Sequence, residues 1–153
     1  MYNAFMKYYS YENFKTDTNT LISHLKDSNF DSIIGIARGG LTLSHAVAEG
    51  LEIRDVQSIR TELYDSTCRR DKLSLFGKCK LNKDTKVLVL DDISDSGETL
   101  NVIMNELKNN FKSVEFVSAT LFYKKTSIYE PDIWINEAKQ WIDFFWERDF
   151  KQD

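Results

Sequence analysis

The sequence has no CxxC pair and no clustered histidines, so nothing in it matches a zinc site. Its two cysteines, Cys68 and Cys79, both lie in a hydrophilic stretch and are expected to be free thiols. No apolar run approaches the roughly 20 residues that span a bilayer. The opening residues, MYNAFMKYYSYENF, are aromatic and polar without a signal-peptide core. A cytoplasmic chain with no integral membrane segment is expected. The pattern GxxxxGK[ST] is absent, which excludes a P-loop nucleotide hydrolase. No basic stretch offsets the 24 acidic residues, and a net charge of −4 argues against broad nucleic-acid binding.

What is present is apolar material for a core. With 42% hydrophobic residues over 153 positions, the expectation is one globular domain spanning the chain, without internal repeats. Strand-like and helix-like segments alternate. Ser10 is placed to cap a helix running to about Lys26, with Phe14, Leu21, Ile22 and Leu25 as its apolar stripe. Ser32 to Ala37 reads as a buried strand, Leu41 to Gly50 as a short helix closed by Gly50, and Val56 to Thr61 as a second strand. Glu62 to Asp84 is polar and poorly periodic, a long loop or flexible hairpin. Lys86 to Leu90 is the central strand, Glu98 to Asn109 a helix, Ser113 to Tyr123 a strand, and the single proline, Pro131, precedes a short strand-like run at Ile133 to Ile135. This order predicts an α/β fold with a mainly parallel central sheet flanked by helices.

The segment Lys86 to Leu100, KVLVLDDISDSGETL, is the most informative. Its aliphatic run suits a strand covered on both faces, and ligands of parallel sheets gather at the carboxyl ends of strands. Asp91 and Asp92 fall at that edge. Gly97 lets neighbouring N–H groups converge on an anion, and the helix starting near Glu98 adds its positive dipole end. Vicinal carboxylates beside a phosphate cradle suit a sugar diol or a divalent cation. A phosphorylated sugar fits this combination. The bland alternative is a strand-turn-helix junction whose Asp, Ser and Gly serve only as caps.

This segment resembles the phosphoribosyl-diphosphate signature of type I phosphoribosyltransferases: an aliphatic run, two acids, a third acid and a Thr-Gly-x-Thr turn. Here the turn is Ser96-Gly97-Glu98-Thr99, and Glu98 is the departure, a negative side chain expected to point away from the phosphate. Ile33 to Leu41, IIGIARGGL, resembles the pyrophosphate loop of the same family, which often holds a cis peptide beside its basic residue. The resemblance implies a type I phosphoribosyltransferase fold with a flexible lid loop, about 62–84, and a small hood built from the two termini. In the lid, Tyr64 fits the usual aromatic, and Arg70 or its neighbour Arg69 would reach the pyrophosphate.

The tail KQWIDFFWE, residues 139–147, and Phe122-Tyr123-Lys124 resemble the 6-oxopurine members of the family, above all the short bacterial xanthine-guanine type. The base-binding hood is then about 124–147. The implied activity is Mg²⁺-dependent transfer of 5-phosphoribosyl from its 1-diphosphate to N9 of guanine, xanthine or hypoxanthine. In that reading Arg38, Gly39, Arg70 and the run Asp91, Asp92, Ile93, Ser94, Asp95, Ser96, Gly97, Glu98 and Thr99 bind the diphosphate substrate. Asp91 and Asp92 orient the ribose, with the metal at Asp92. Asp95 is the catalytic base for the purine, Lys124 donates to the 6-oxo group, Trp141 stacks on the ring and Ile142 meets its edge through the backbone. Lys125 competes with Lys124 for its role. A homodimer or homotetramer is the expected assembly.

Alternatives remain from other classes. A phosphoribosyl-nucleotide-binding regulator on the same fold would keep the phosphate turn without turnover, and a transferase for another base would change only the tail. A receiver domain carries its acidic pair early in the chain. DDISD also matches the DDxxD motif of helical isoprenoid synthases, which the strand-forming VLVL before it opposes.

Overall fold

The computed structural model describes residues 5–63, 73–76 and 78–153. Six strands form the main sheet in the order β4-β3-β2-β5-β6-β7. They are β2 (Ser32–Ile36), β3 (Val56–Leu63), β4 (Leu73–Phe76), β5 (Lys86–Ser94), β6 (Glu115–Tyr123) and β7 (Ile133–Glu137). All neighbours are parallel except β3 and β4. The expected α/β architecture with a mainly parallel sheet is therefore what the chain adopts.

The helices follow from capping and periodicity. In α1 (Tyr11–Leu25) the Ser10 hydroxyl accepts the Asn13 N–H at 3.1 Å, and Phe14, Thr18, Leu21 and Leu25 face inward. α2 spans Gly40–Leu51 and α3 spans Glu98–Asn110, the latter burying Leu100, Ile103, Met104 and Leu107. Strand β5 is covered on both sides, because alternate side chains point to opposite faces. Leu88 and Leu90 join the core beneath α1 and α2, whereas Val87 and Val89 join the core beneath α3.

Two expectations are corrected. Gly50 does not close α2: it lies inside the helix, where a Cβ would come within 3.0 Å of Ile22 Cγ1, and the left-handed terminal residue is Glu52. Its glycine serves the close α1–α2 contact. Strand β5 continues past Leu90 to Ser94, because β6 supplies partners along its whole length, pairing Asp91 with Thr120 and Ser94 with Tyr123. The segment read as a long loop or hairpin supplies the end of β3, which reaches Leu63, and all of β4, and the two strands pair antiparallel as a hairpin does.

A strand that periodicity did not suggest, β1 (Met6–Tyr9), pairs in parallel with β8 (Trp141–Phe144), followed by the short α4 (Phe145–Arg148). This two-stranded sheet is the hood. In the main sheet, chain order runs from β2 outward to β3 and β4, then returns to place β5 on the other side of β2. The carboxyl ends of β2 and β5 thus flank a topological switch point, where open α/β sheets bind ligands.

Candidate active site

The loop after β2 is pressed against β5. The Ala37–Arg38 peptide is cis, as the resemblance implies beside the basic residue. Gly39 and Gly40 are needed for close approach. A Cβ on Gly39 would lie 2.6 Å from Asp92 Cγ, and one on Gly40 would lie 2.5 Å from the Leu90 carbonyl oxygen. Any larger residue would push the loop and the start of α2 off the acidic strand end.

The acids themselves are buried, Asp91 at 9% and Asp92 at 7% exposure. Because they belong to β5, their side chains diverge: Asp92 turns to the Arg38–Gly39 loop, and Asp91 to the turn that follows. Asp92 N–H donates to Asp91 Oδ1 at 2.9 Å, and Ile93 N–H donates to Asp92 Oδ1 at 2.7 Å. Burial, followed by the Asp92 charge, holds the Asp91 carboxyl well above the usual range. Burial also pushes Asp92 up to about 6, with the Glu147 charge adding to the rise and hydrogen bonds from Asp91 and the Ile93 N–H opposing it.

The protonated acid is thus favoured in the folded chain relative to the unfolded one. The stability this site contributes is complete below about pH 4 and is lost as pH rises through about 6. Asp92→Asn fixes the neutral form. It is expected to raise the melting temperature of the ligand-free protein by several degrees at about pH 8, reflecting at most on the order of 3 kcal/mol, and to leave it unchanged near pH 4. Thermal unfolding at the two pH values checks this; equal melting points at about pH 8 would contradict it.

Beyond β5, the turn encloses a cavity of about 100 Å³ lined by Asp91, Ile93, Ser94, Asp95, Ser96, Gly97, Thr99 and Leu100. Gly97 has φ +83° and precedes the first turn of α3. The turn is braced from outside: Ile128 N–H donates to the Ser96 carbonyl at 2.9 Å, and the Ser94 hydroxyl donates to the Tyr129 carbonyl at 2.8 Å. Glu98 is exposed and lines neither this cavity nor the larger one beside it. Its backbone N–H donates to Ser96 Oγ at 3.3 Å.

The larger cavity, about 510 Å³, runs from Arg38, Gly39, Asp91, Asp92 and Ile93 past Asp95 and Thr99 to Lys124, Trp141 and Ile142. Lys124 Nζ lies 3.4 Å from Asp95 Oδ1, while Lys125 pairs with Glu137 at 3.6 Å. Of the two lysines, Lys124 is the one that lines the cavity. Trp141 is 62% exposed at the cavity wall, its backbone N–H donating to the Phe5 carbonyl at 3.1 Å. Its ring is not core. Phe144 is core as well as cavity wall, stacked on Trp146 with centroids 4.6 Å apart.

The structure brings all the anticipated site residues onto these two adjoining cavities, with two exceptions. Glu98 stands outside, and Arg70, with Arg69, Tyr64 and Cys68, lies outside the described residues. Sequence reading left Thr61, Lys139 and Gln140 without a role in the cavity wall, whereas Glu147, the acid after Trp146, was expected near the base edge and does line it. Thr61 carried no signal; it is simply near the end of β3.

A phosphate-sized turn, a buried acid pair and an aromatic hood meet at one sheet edge. The chain belongs to the phosphoribosyl transferase domain family, whose sequence pattern matches residues 7–152. It is 30% identical over 126 residues to a xanthine-guanine phosphoribosyltransferase of Idiomarina loihiensis, covering 80% of this chain and 74% of that protein. The solved Helicobacter pylori xanthine-guanine-hypoxanthine phosphoribosyltransferase superposes with a TM-score of 0.87 at 33% identity, covering 94% of this chain and 95% of that one. A purine phosphoribosyltransferase from Pyrococcus horikoshii superposes at 0.84 with 28% identity, covering 97% of both chains.

Proposed function

We propose that the protein transfers 5-phosphoribosyl from 5-phosphoribosyl 1-diphosphate to N9 of a 6-oxopurine (guanine, xanthine or hypoxanthine), releasing pyrophosphate, as a purine salvage step. The observation that carries this reading is the continuity of the 510 Å³ cavity. It joins the Arg38 loop, the acid pair, Asp95 with Lys124, and Trp141 with Ile142, in the order diphosphate, ribose and base require.

The 5-phosphate sits in the small cavity, on the backbone and hydroxyls of Asp95 to Thr99 at the α3 N-terminus. Arg38 supplies positive charge to the leaving diphosphate. Asp91 and Asp92 orient the ribose hydroxyls, and Asp92, anionic above about pH 6, favours the oxocarbenium-like transition state. Asp95 takes the N7 proton as N9 attacks, Lys124 donates to the 6-oxo oxygen, and Trp141 offers its face to the ring. Two buried carboxylates disfavoured as anions fit a divalent cation, and Asp92 with Asp91 would hold Mg²⁺, which supplies charge neutralisation for the diphosphate. Among the described residues no group of three or more His, Cys, Asp or Glu could hold an ion. That suits a cation completed by substrate oxygens and water.

No helix among the described residues is long and apolar enough to cross a membrane. A cytoplasmic homodimer or homotetramer is the setting this reading expects. A panel of purine and pyrimidine bases with phosphoribosyl diphosphate, read by pyrophosphate release, tests it. Turnover of at least one 6-oxopurine is expected. Binding without turnover identifies the regulatory alternative, and turnover of a different base alone overturns the assignment.

A further inference from the structure

One carboxylate oxygen joins two strands on which the base side of the cavity depends. Asp17 Oδ2, on α1, accepts from Tyr9 Oη at 2.7 Å and from Asn136 Nδ2 at 2.8 Å. Tyr9 ends β1 and is in register with Phe144 of β8, which lines the cavity. Asn136 lies in β7, two residues before Ala138, where the chain becomes cavity wall through Lys139 and Gln140. The hood needs such an anchor, because a sheet of two four-residue strands has little stability of its own. Tyr9 provides the apolar half of the anchor. It is 1% exposed, with its ring edge-on to Phe122 at 5.0 Å and to Phe144 at 5.7 Å. Its hydroxyl is the one polar atom of that ring, and Asp17 is the partner that satisfies it.

We propose that Asp17 is a positioning residue for the purine subsite, fixing β8 through Tyr9 and the Ala138–Gln140 wall through Asn136. This rests on the base site assigned above. The diphosphate and ribose groups hang from β2, β5 and α3, none of which Asp17 touches in either hydrogen bond. Loss of the clamp therefore acts on one substrate and spares the other.

The test is steady-state kinetics of Asp17→Ala, Tyr9→Phe and the double variant, with both substrates varied and melting temperatures recorded. KM for the base is expected to rise about tenfold in Tyr9→Phe, the size of one lost hydrogen bond, and at least as much in Asp17→Ala, which loses the Asn136 bond as well, with KM for phosphoribosyl diphosphate within about twofold of wild type in both. The double variant should rise far less than the product of the singles, because both remove one interaction. If Asp17→Ala does not fold, Tyr9→Phe, which keeps the ring packing, decides the same question. Equal changes in both KM values, or no change in either, overturn the clamp. A wild-type protein inactive on every base instead refutes the underlying activity, so the two failures are distinct.

Discussion

Replacing Asp95 with Asn is expected to lower turnover of the preferred 6-oxopurine about a hundred- to ten-thousand-fold while leaving the melting temperature nearly unchanged. The two halves of this expectation have separate causes. Asp95 lies just past the end of β5, in the wall of both cavities, where the 5-phosphate turn meets the base side. An amide there preserves shape but could not take the N7 proton that the proposed reaction assigns to Asp95. The side chain is half-exposed, and its ion-pair partner, Lys124 at 3.4 Å, is equally half-exposed. Pairs of that kind contribute no more than about 1 kcal/mol. Initial rates with both substrates saturating, beside a thermal melt, check both halves. Full turnover in Asp95→Asn would remove the base assignment and leave the fold standing.

The second large effect is expected at Gly97, where conformation and space act together. A residue with a Cβ at φ +83° carries a strain of roughly 1–2 kcal/mol. Its Cβ would also press on the Ser127 hydroxyl and lie 2.6 Å from the Tyr129 backbone nitrogen. Gly97→Ala must therefore displace either the phosphate turn or the 127–129 loop that braces it. We expect a melting temperature lower by about 4–10 °C and a KM for phosphoribosyl diphosphate raised at least about tenfold. Adding Ser127→Gly removes one obstacle and leaves the backbone one, so it should recover only part of the loss. Complete recovery, or an unaltered Gly97→Ala protein, would show that the turn is not held in this way.

These two expectations differ in how much of them the sequence carried. Asp95 is legible as part of the acidic strand end because its spacing from Asp91 and Asp92 and from the Ser96–Thr99 turn is local, whereas its part as base is what the family resemblance implies. The clash that makes Gly97 indispensable is with residues thirty positions later. Gly39 and Gly40 behave likewise: a glycine turn was evident, but its reason, the approach of Asp92 and the Leu90 carbonyl, required knowing that β2 and β5 are neighbours. Strand β1 escaped notice because its four residues bury only Tyr9, and its pairing partner begins at Trp141. The aromatic tail was visible as a cluster, yet exposure alone separates Trp141 from the packed Phe144.

Taken by itself, the sequence determined the alternation of strands and helices, the phosphate turn and the acids before it. Each of those depends on periodicity, capping or spacing within one short stretch. Tertiary structure decided what depends on distant segments meeting. It buried Asp91 and Asp92 deeply enough to push both carboxyls above their usual range, brought Lys124 to Asp95, and closed the hood by pairing β1 with β8. The physical reason is common to all three: burial, ion pairing and strand pairing are properties of neighbours in space, and nothing local to those residues specifies which neighbours the fold will supply.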